Sequence, residues 1–173
     1  MTRPEPRFCP QCGAPLTWRE RFGRQRPVCT ACNHTVFFDP KVAVVALVTQ
    51  GDTILLVRRH NDPGQGKWAL PAGFVDSDED PQLAVRREVE EETGVRVATT
   101  GLIGLYHRPD PDGLADIVIA YSAVPAGGTL RAGDDAEDAG WFSEFSLETL
   151  PIALATTERL LADWRIRRAA ETK

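Results

Sequence analysis

Residues 73–95 read GFVDSDEDPQLAVRREVEEETGV, and this stretch decides the fold. Pro81 suits the first turn of a helix and Gly94 the position just past its end. The spacing predicts a helix from Pro81 to about Thr93, entered from a loop that begins at Gly73. At about 100° per residue, Glu88, Glu91 and Glu92 occupy i, i+3 and i+4 and share one face. Val85 and Val89 lie beside them, while Arg86 and Glu90 point roughly the other way. A charge run on a helix is usually a solvated face. Here the three carboxylates border the apolar stripe that must be buried. Like charges at this spacing cost roughly a few tenths of a kcal/mol each in water, and more beside a low-dielectric wall. A hard divalent cation offsets that cost, and magnesium is held by one or two carboxylates together with substrate phosphates.

All four cysteines lie upstream, as Cys9-Pro-Gln-Cys12 and Cys29-Thr-Ala-Cys32. Two CxxC turns at this separation match a structural zinc site, because zinc takes four thiolates in a tetrahedron and each turn offers two. A disulfide pair or four free thiols is the other reading, and His34 is a ligand variant or a bystander. Four cysteines leave no open coordination position, so the expected role is structural. Arg19, Arg21, Arg24 and Arg26 fall between the pairs. They read as phosphate or nucleic-acid contacts or as a solvated hairpin, and the second is favoured. Residues 7–38 thus read as a zinc ribbon, too small for a core without its metal.

The 173 residues suffice for one core or a little more, and the apolar and charged fractions (42% and 26%) exclude a disordered chain. The net charge of −5 disfavours global attraction to nucleic acid or membrane. The first residues, MTRPEPR, have no apolar segment behind them. Val42–Val48 is too short to cross a bilayer. The expectation is a cytoplasmic protein. Val42–Val48 reads as a buried strand, paired through the turn at Gln50–Asp52 with a second over Thr53–Val57. Further strands are expected at Trp68–Leu70, Val95–Val97, Leu102–Tyr106, Asp116–Val124 and Trp141–Phe142. A loop is expected over Gly127–Asp138. A last helix is expected from Pro151 to about Ala170, with Leu154, Leu160, Leu161 and Trp164 on its apolar side. There is no P-loop and no Rossmann glycine fingerprint.

Taken whole, the pattern Gly73-x5-Glu79-x7-Arg87-Glu88-Val89-x-Glu91-Glu92-x-Gly94-Val95 resembles the box of the Nudix hydrolases, with every signature position filled. Residues 67–74 and Trp141-Phe142 are also similar to that family, and the resemblance covers roughly residues 41–170. It implies an α/β fold: an α/β/α sandwich around a mixed sheet, with a zinc ribbon at residues 1–38 and a hydrolase domain at 39–173. It implies Mg²⁺- or Mn²⁺-dependent hydrolysis of a nucleoside diphosphate linked to another moiety. Glu88, Glu91 and Glu92 match the metal ligands, and Arg87 matches the residue that pairs with Glu79. The expected catalytic set is Glu88, Glu92, Arg87 and Glu137, with Glu92 or Glu88 as base and Glu137 the loop candidate beside Asp134, Asp135 and Asp138. That acidic loop reads equally as a solvated turn.

A ribbon before such a domain is similar to NADH pyrophosphatases, but the motif those carry after the box is absent here. The FFDPK junction at residues 37–41 is similar to a shorter group acting on ADP-ribose or FAD. The expected substrate is ADP-ribose, FAD or a similar dinucleotide, releasing AMP. Expected substrate contacts are Arg58, Arg59 and Arg108 for phosphates, Phe38 and Tyr106 as apolar walls with Phe74 and Trp68, and Ala72 and Gly73 at the box entrance. Each aromatic reads alternatively as core, and each arginine as surface charge. Two rivals stand: a housecleaning hydrolase of oxidised nucleoside triphosphates, and a non-hydrolysing nucleotide sensor whose ribbon touches nucleic acid. A homodimer is expected by analogy with the family, with no membrane or nucleic-acid partner.

Overall fold

A computed structural model describes residues 5–107 and 115–171. The chain forms two compact units, Met1–Pro40 and Lys41–Lys173. The first is built on a hairpin, β1 (Leu16–Arg21) and β2 (Arg24–Cys29). Phe22 and Gly23 join the strands with φ of 52° and 71°. Positive φ at both central residues is the pattern of a type I′ turn, whose twist matches that of the strands. The buried apolar residues among the described part of this unit are Cys9, Pro27, Val28 and Cys29. So small a core does not hold a fold without a cross-link.

The second unit runs β3 (Val42–Gln50), β4 (Thr53–Arg59), β5 (Trp68–Ala69), β6 (Ala72–Phe74), α1 (Pro81–Thr93), β7 (Val95–His107), β8 (Ile117–Gly128), β9 (Ala136–Ser143), α2 (Glu144–Leu147) and α3 (Ala155–Glu171). β3 and β4 pair only beside their turn, at Thr49–Ile54 and Gln50–Thr53. They then part. β3 takes β8 in parallel and β6 antiparallel, and β4 takes β9 and β5, both antiparallel. The sheet is therefore mixed and splayed at its middle.

β3 is apolar at consecutive positions because both its faces are covered. Val44, Ala46 and Val48 pack with Ala84, Val85 and Val89 of α1. Val45 and Leu47 pack with Leu160, Leu161 and Trp164 of α3. This is the α/β/α sandwich that the family resemblance implies. No helix among the described residues is long and apolar enough to cross a membrane.

The structure adds β6 and α2 to the elements expected from sequence, carries β8 on to Gly128, and alters three others. The last helix starts at Ala155, not Pro151, because the backbone before it is engaged elsewhere. Trp68 N donates to Pro151 O at 2.8 Å and Ala153 N donates to Trp68 O at 2.7 Å, while Leu154 turns to φ 67°. The expected strands at Val95–Val97 and Leu102–Tyr106 are one strand, β7, whose register against β8 shifts three times between Arg96 and Gly104. Bulges of this kind absorb extra residues and bend a strand without ending it. The short strand at Trp141–Phe142 extends over all of β9, which shortens the preceding loop.

Candidate active site

Helix α1 is fixed at both ends. Asp80 caps its start, accepting from Gln82 N at 2.7 Å, and Pro81 follows at the first helical position. Gly94 ends it at φ 66° and donates to Glu90 O at 2.8 Å. The chain after β8 then folds over this end. Thr129 N donates to Gly94 O at 3.2 Å, Arg131 N to Thr93 O at 2.9 Å and Gly133 N to Glu92 O at 3.1 Å. Carbonyls that a helix terminus leaves unpaired are thereby satisfied. A Cβ on Gly133 would lie 2.6 Å from Glu91 O, so this approach requires glycine. The clasp carries Asp134 and Asp135 to the same side as the box glutamates.

Arg87 organises the helix face. Its Nε and Nη2 donate to the two oxygens of Glu79, each at 2.8 Å. Its Nη1 donates to Glu88 at 2.7 Å and Glu91 at 3.0 Å, and Nη2 also reaches Phe74 O at 3.1 Å. The planar fork suits this set of acceptors, which a lysine could not span. Hydrogen bonds from Arg87 hold the Glu79 carboxyl below the usual carboxylate range. Glu88 and Glu92 are buried, at 9% and 6% exposure, and Glu91 is exposed. Burial raises the Glu88 carboxyl and pushes Glu92 up to about 8, although Ala72 N donates to Glu92 Oε2 at 3.2 Å.

Gly73 explains how Glu88 is accommodated. A Cβ there would lie 1.9 Å from Glu88 Cδ and 2.1 Å from each of its oxygens. The glycine is set by close approach and not by backbone conformation.

Between the parted strands lies a cleft of about 540 Å³. β3 and β6 form one wall, with Ala72, Gly73 and Phe74. Arg59, Asn61 and Pro63 form another, and Glu88, Glu92, Asp134 and Asp135 the floor. Leu154, Thr156 and Thr157 enter from the start of α3. Thr157 Oγ1 accepts from Leu70 N at 3.3 Å. Asp135 is tied to the end of β4, with Asn61 Nδ2 donating to its carboxylate at 3.0 Å and His60 N to its carbonyl at 2.9 Å. Arg59 Nε donates to Pro63 O at 2.7 Å.

The structure thus brings Arg59, Ala72, Gly73, Arg87, Glu88 and Glu92 to one cleft. Other expected residues lie elsewhere. Glu137 sits on β9, 3.5 Å from Arg58 and 3.4 Å from His60, outside the cleft lining. Arg58 lies over the Trp68 ring, 6.0 Å from its centre. Tyr106 lies under the Arg159 guanidinium at 4.8 Å. Phe38 belongs to the N-terminal unit, where it stacks on Trp18. Arg108 falls outside the described residues. The contribution of α3 was not anticipated. Its only sequence signal is a threonine pair following a proline, which reads equally as an ordinary helix start.

In the N-terminal unit the sulfurs of Cys9, Cys12, Cys29 and Cys32 all lie within 4.8 Å of one another. The separations Cys9–Cys32, Cys12–Cys29 and Cys12–Cys32 are 3.7, 3.4 and 3.5 Å. Sulfurs around a tetrahedral zinc stand roughly 3.8 Å apart, so the cluster suits a metal with little adjustment. Hydrogen bonds from Cys32 N and Ala31 N hold the Cys29 thiol down to about 6, while shared hydrogen bonds with Cys12 and Cys29 push the Cys32 thiol up to about 12. No other group of three or more His, Cys, Asp or Glu among the described residues converges so closely. The box glutamates instead divide between Arg87 and Ala72.

Two outcomes follow from this geometry. Gly73→Ala is expected to destabilise the protein by about 1–3 kcal/mol through overpacking, and Glu88→Ala in the same chain should recover most of that loss. Urea unfolding of the two single variants and the double variant checks the coupling. The Glu92 carboxyl keeps its proton to about 8 in the native state, whereas in the unfolded chain it ionises near 4.3. The native state therefore binds the extra proton between these values, and metal-free stability should fall as pH rises from about 4 to about 8. Glu92→Gln should flatten that decline, as thermal midpoints in chelator at about pH 5 and about pH 8.5 will show.

A protein-family model described as the NUDIX domain matches residues 39–164. An ADP-ribose pyrophosphatase of Methanocaldococcus jannaschii is 36% identical over 132 residues, 76% of each chain. A NAD-capped RNA hydrolase, NudC, of Stutzerimonas stutzeri is 31% identical over 163 residues, covering 94% of this chain and 57% of that one. The chain therefore spans little more than half the length of that relative. Among solved structures, a NUDIX hydrolase from Nitrosomonas europaea superposes with a TM-score of 0.74 at 28% identity, over 81% of this chain and 79% of the other. The family match takes in the whole splayed sheet, the box helix and most of α3, and on that basis the chain belongs to the Nudix hydrolases, which act on pyrophosphate bonds.

Proposed function

We propose that this protein hydrolyses the pyrophosphate bond of a nucleoside diphosphate joined to another moiety, with ADP-ribose or a dinucleotide such as FAD as substrate and AMP as one product. The observation that carries this reading is the pair of buried carboxylates, Glu88 and Glu92, on the floor of a cleft of about 540 Å³ in a chain with a complete Nudix box. That volume lies within the range of small-molecule sites. The likeness to an ADP-ribose pyrophosphatase across three quarters of the chain supports the substrate class.

Glu88, Glu91 and Glu92 are the proposed ligands of Mg²⁺ or Mn²⁺. The donor set is all oxygen, as hard cations require, and two of the three carboxylates are buried at a cost that a cation relieves. When bound, the ion neutralises phosphate charge, orients the group and acidifies an attacking water. The chain's own residues do the rest. Arg87, anchored on Glu79, fixes the orientation of Glu88 and Glu91. Arg59 brings positive charge to the cleft that Glu88 and Glu92 line, where the phosphates of a substrate need it. Proton acceptors available in the cleft are Glu88, Glu92, Asp134 and Asp135. Glu137, already paired with Arg58 and His60, is the less direct candidate.

A second reading rests on the NAD-capped RNA hydrolase, whose match covers 94% of the chain. A match that long misses at most about ten residues, so it extends into the cysteine-bearing unit. Its named substrate carries the same kind of pyrophosphate bond on a longer chain. The four cysteines are the proposed site of a structural zinc, since they fill all four coordination positions.

A screen at about pH 8 with Mg²⁺ or Mn²⁺ tests the reading against ADP-ribose, FAD, NADH, NAD⁺, NAD-capped RNA and normal and oxidised (d)NTPs. AMP from ADP-ribose or FAD is the expected result. Nucleoside monophosphate plus pyrophosphate from a triphosphate would instead make the protein a housecleaning enzyme, and retention of ligand without turnover would make it a sensor. Glu91→Gln and Glu92→Gln should each lower kcat by about 10²-fold or more with the fold intact, a loss of about 2.7 kcal/mol or more of transition-state stabilisation. Cys9→Ser should release zinc from the purified protein and unfold the N-terminal unit, with a smaller effect on turnover, as metal analysis and circular dichroism will show.

A further inference from the structure

The N-terminal unit carries a surface that hydrolysis in the cleft does not use. Across the hairpin, Arg19 stands opposite Arg26 and Arg21 opposite Arg24. Directly opposed residues of an antiparallel pair share a face, so all four guanidinium groups lie on one side, and Trp18, Glu20, Gln25 and Pro27 lie on the other. Like charges placed opposite each other destabilise a hairpin. Among the described residues none of the four pairs with a carboxylate. Arg21 donates to Asn33 Oδ1 at 3.0 Å, and Arg26 Nε donates to Arg21 O at 3.3 Å. Residues 1–40 carry six arginines against Glu5, Glu20 and Asp39, although the whole chain is acidic. The positive charge is therefore local and not a property of the protein at large.

Aromatic rings accompany this charge. Phe22 at the hairpin tip is 77% exposed and Phe37 is 52% exposed. Their rings stack at 5.9 Å, and the Arg26 guanidinium lies 4.6 Å over Phe37, which places that ring on the arginine face. Phe22 holds φ 52° in a turn that favours asparagine, aspartate or glycine. A bulky residue at positive φ is unusual, and here it keeps a large ring in solvent.

We propose that this arginine face of the hairpin, with Phe22 and Phe37, binds single-stranded nucleic acid. The guanidinium groups take successive phosphates, and unpaired bases stack on the rings. Interleaved guanidinium and exposed aromatic groups are what single strands require. A duplex conceals its base faces, whereas a single strand offers one base per phosphate to stack on the rings. The proposal stands apart from the hydrolytic reading, because binding is measured with no turnover.

The test is fluorescence anisotropy of a short fluorescein-labelled single-stranded RNA with the zinc-loaded full chain, over a salt series. Four phosphate contacts on a single strand give a log–log salt slope of about −3. The double variant Arg19→Ala/Arg24→Ala is expected to halve that slope and weaken binding about tenfold or more. Phe22→Asn, which suits the turn's backbone, should weaken binding about fivefold or more by removing a stacking ring. Zinc content and thermal midpoint should stay at the wild-type level in both variants. Lack of saturable RNA binding at low salt would overturn the proposal. So would wild-type affinity in the double arginine variant or wild-type affinity in Phe22→Asn.

Discussion

One guanidinium group organises the box helix and the carboxylates around it. Arg87 reaches Glu79 before the helix, Glu88 and Glu91 on it, and the Phe74 carbonyl on the facing strand. Remove it, and the helix keeps its negative charges while its ties to β6 fall to the one from Ala72 N to Glu92. The arrangement also runs against the helix's own field. Glu91 and Glu92 lie in the last turn of α1, where the macrodipole is negative and cations are preferred, and that turn contains no basic residue. The helix end thus adds to the carboxylates in attracting a cation.

The box helix was legible because its information is local. Pro81, Gly94 and the i, i+3, i+4 spacing of the glutamates are all read within one helix. The close packing of Gly73 on Glu88 was not legible, since it depends on β6 lying beside α1. The acidic residues of the cleft show the same limit. Sequence alone offered Glu137 ahead of Asp134 and Asp135, because the family it resembles often uses a glutamate of a later loop. The clasp that delivers Asp134 and Asp135 is made of backbone hydrogen bonds, which carry no side-chain signature. The start of α3 failed for a similar reason: Pro151 is a good helix opener, yet the backbone from Pro151 to Ala153 pairs with Trp68.

The splay of β3 from β4 turns a flat sheet into a container. Strands that stayed paired along their length would leave no gap for the cleft. Here each strand finds another neighbour, so the opening exposes few unpaired backbone groups. The walls then come from two different structural sources. One side is built by β3, β6 and the box helix with its carboxylates, and the other by the end of β4 and the start of α3.

The clasp over the end of α1 has a consequence for how this protein can change. Between Thr129 and Asp135 one short segment both terminates the helix and supplies cleft carboxylates. Its three backbone donors are spaced to meet three particular carbonyls. Adding or deleting a residue there would shift Asp134 and Asp135 and uncap the helix in the same event. Evolution can exchange side chains along this segment far more readily than it can alter its length. Diversification of the pocket is therefore channelled toward the opposite wall.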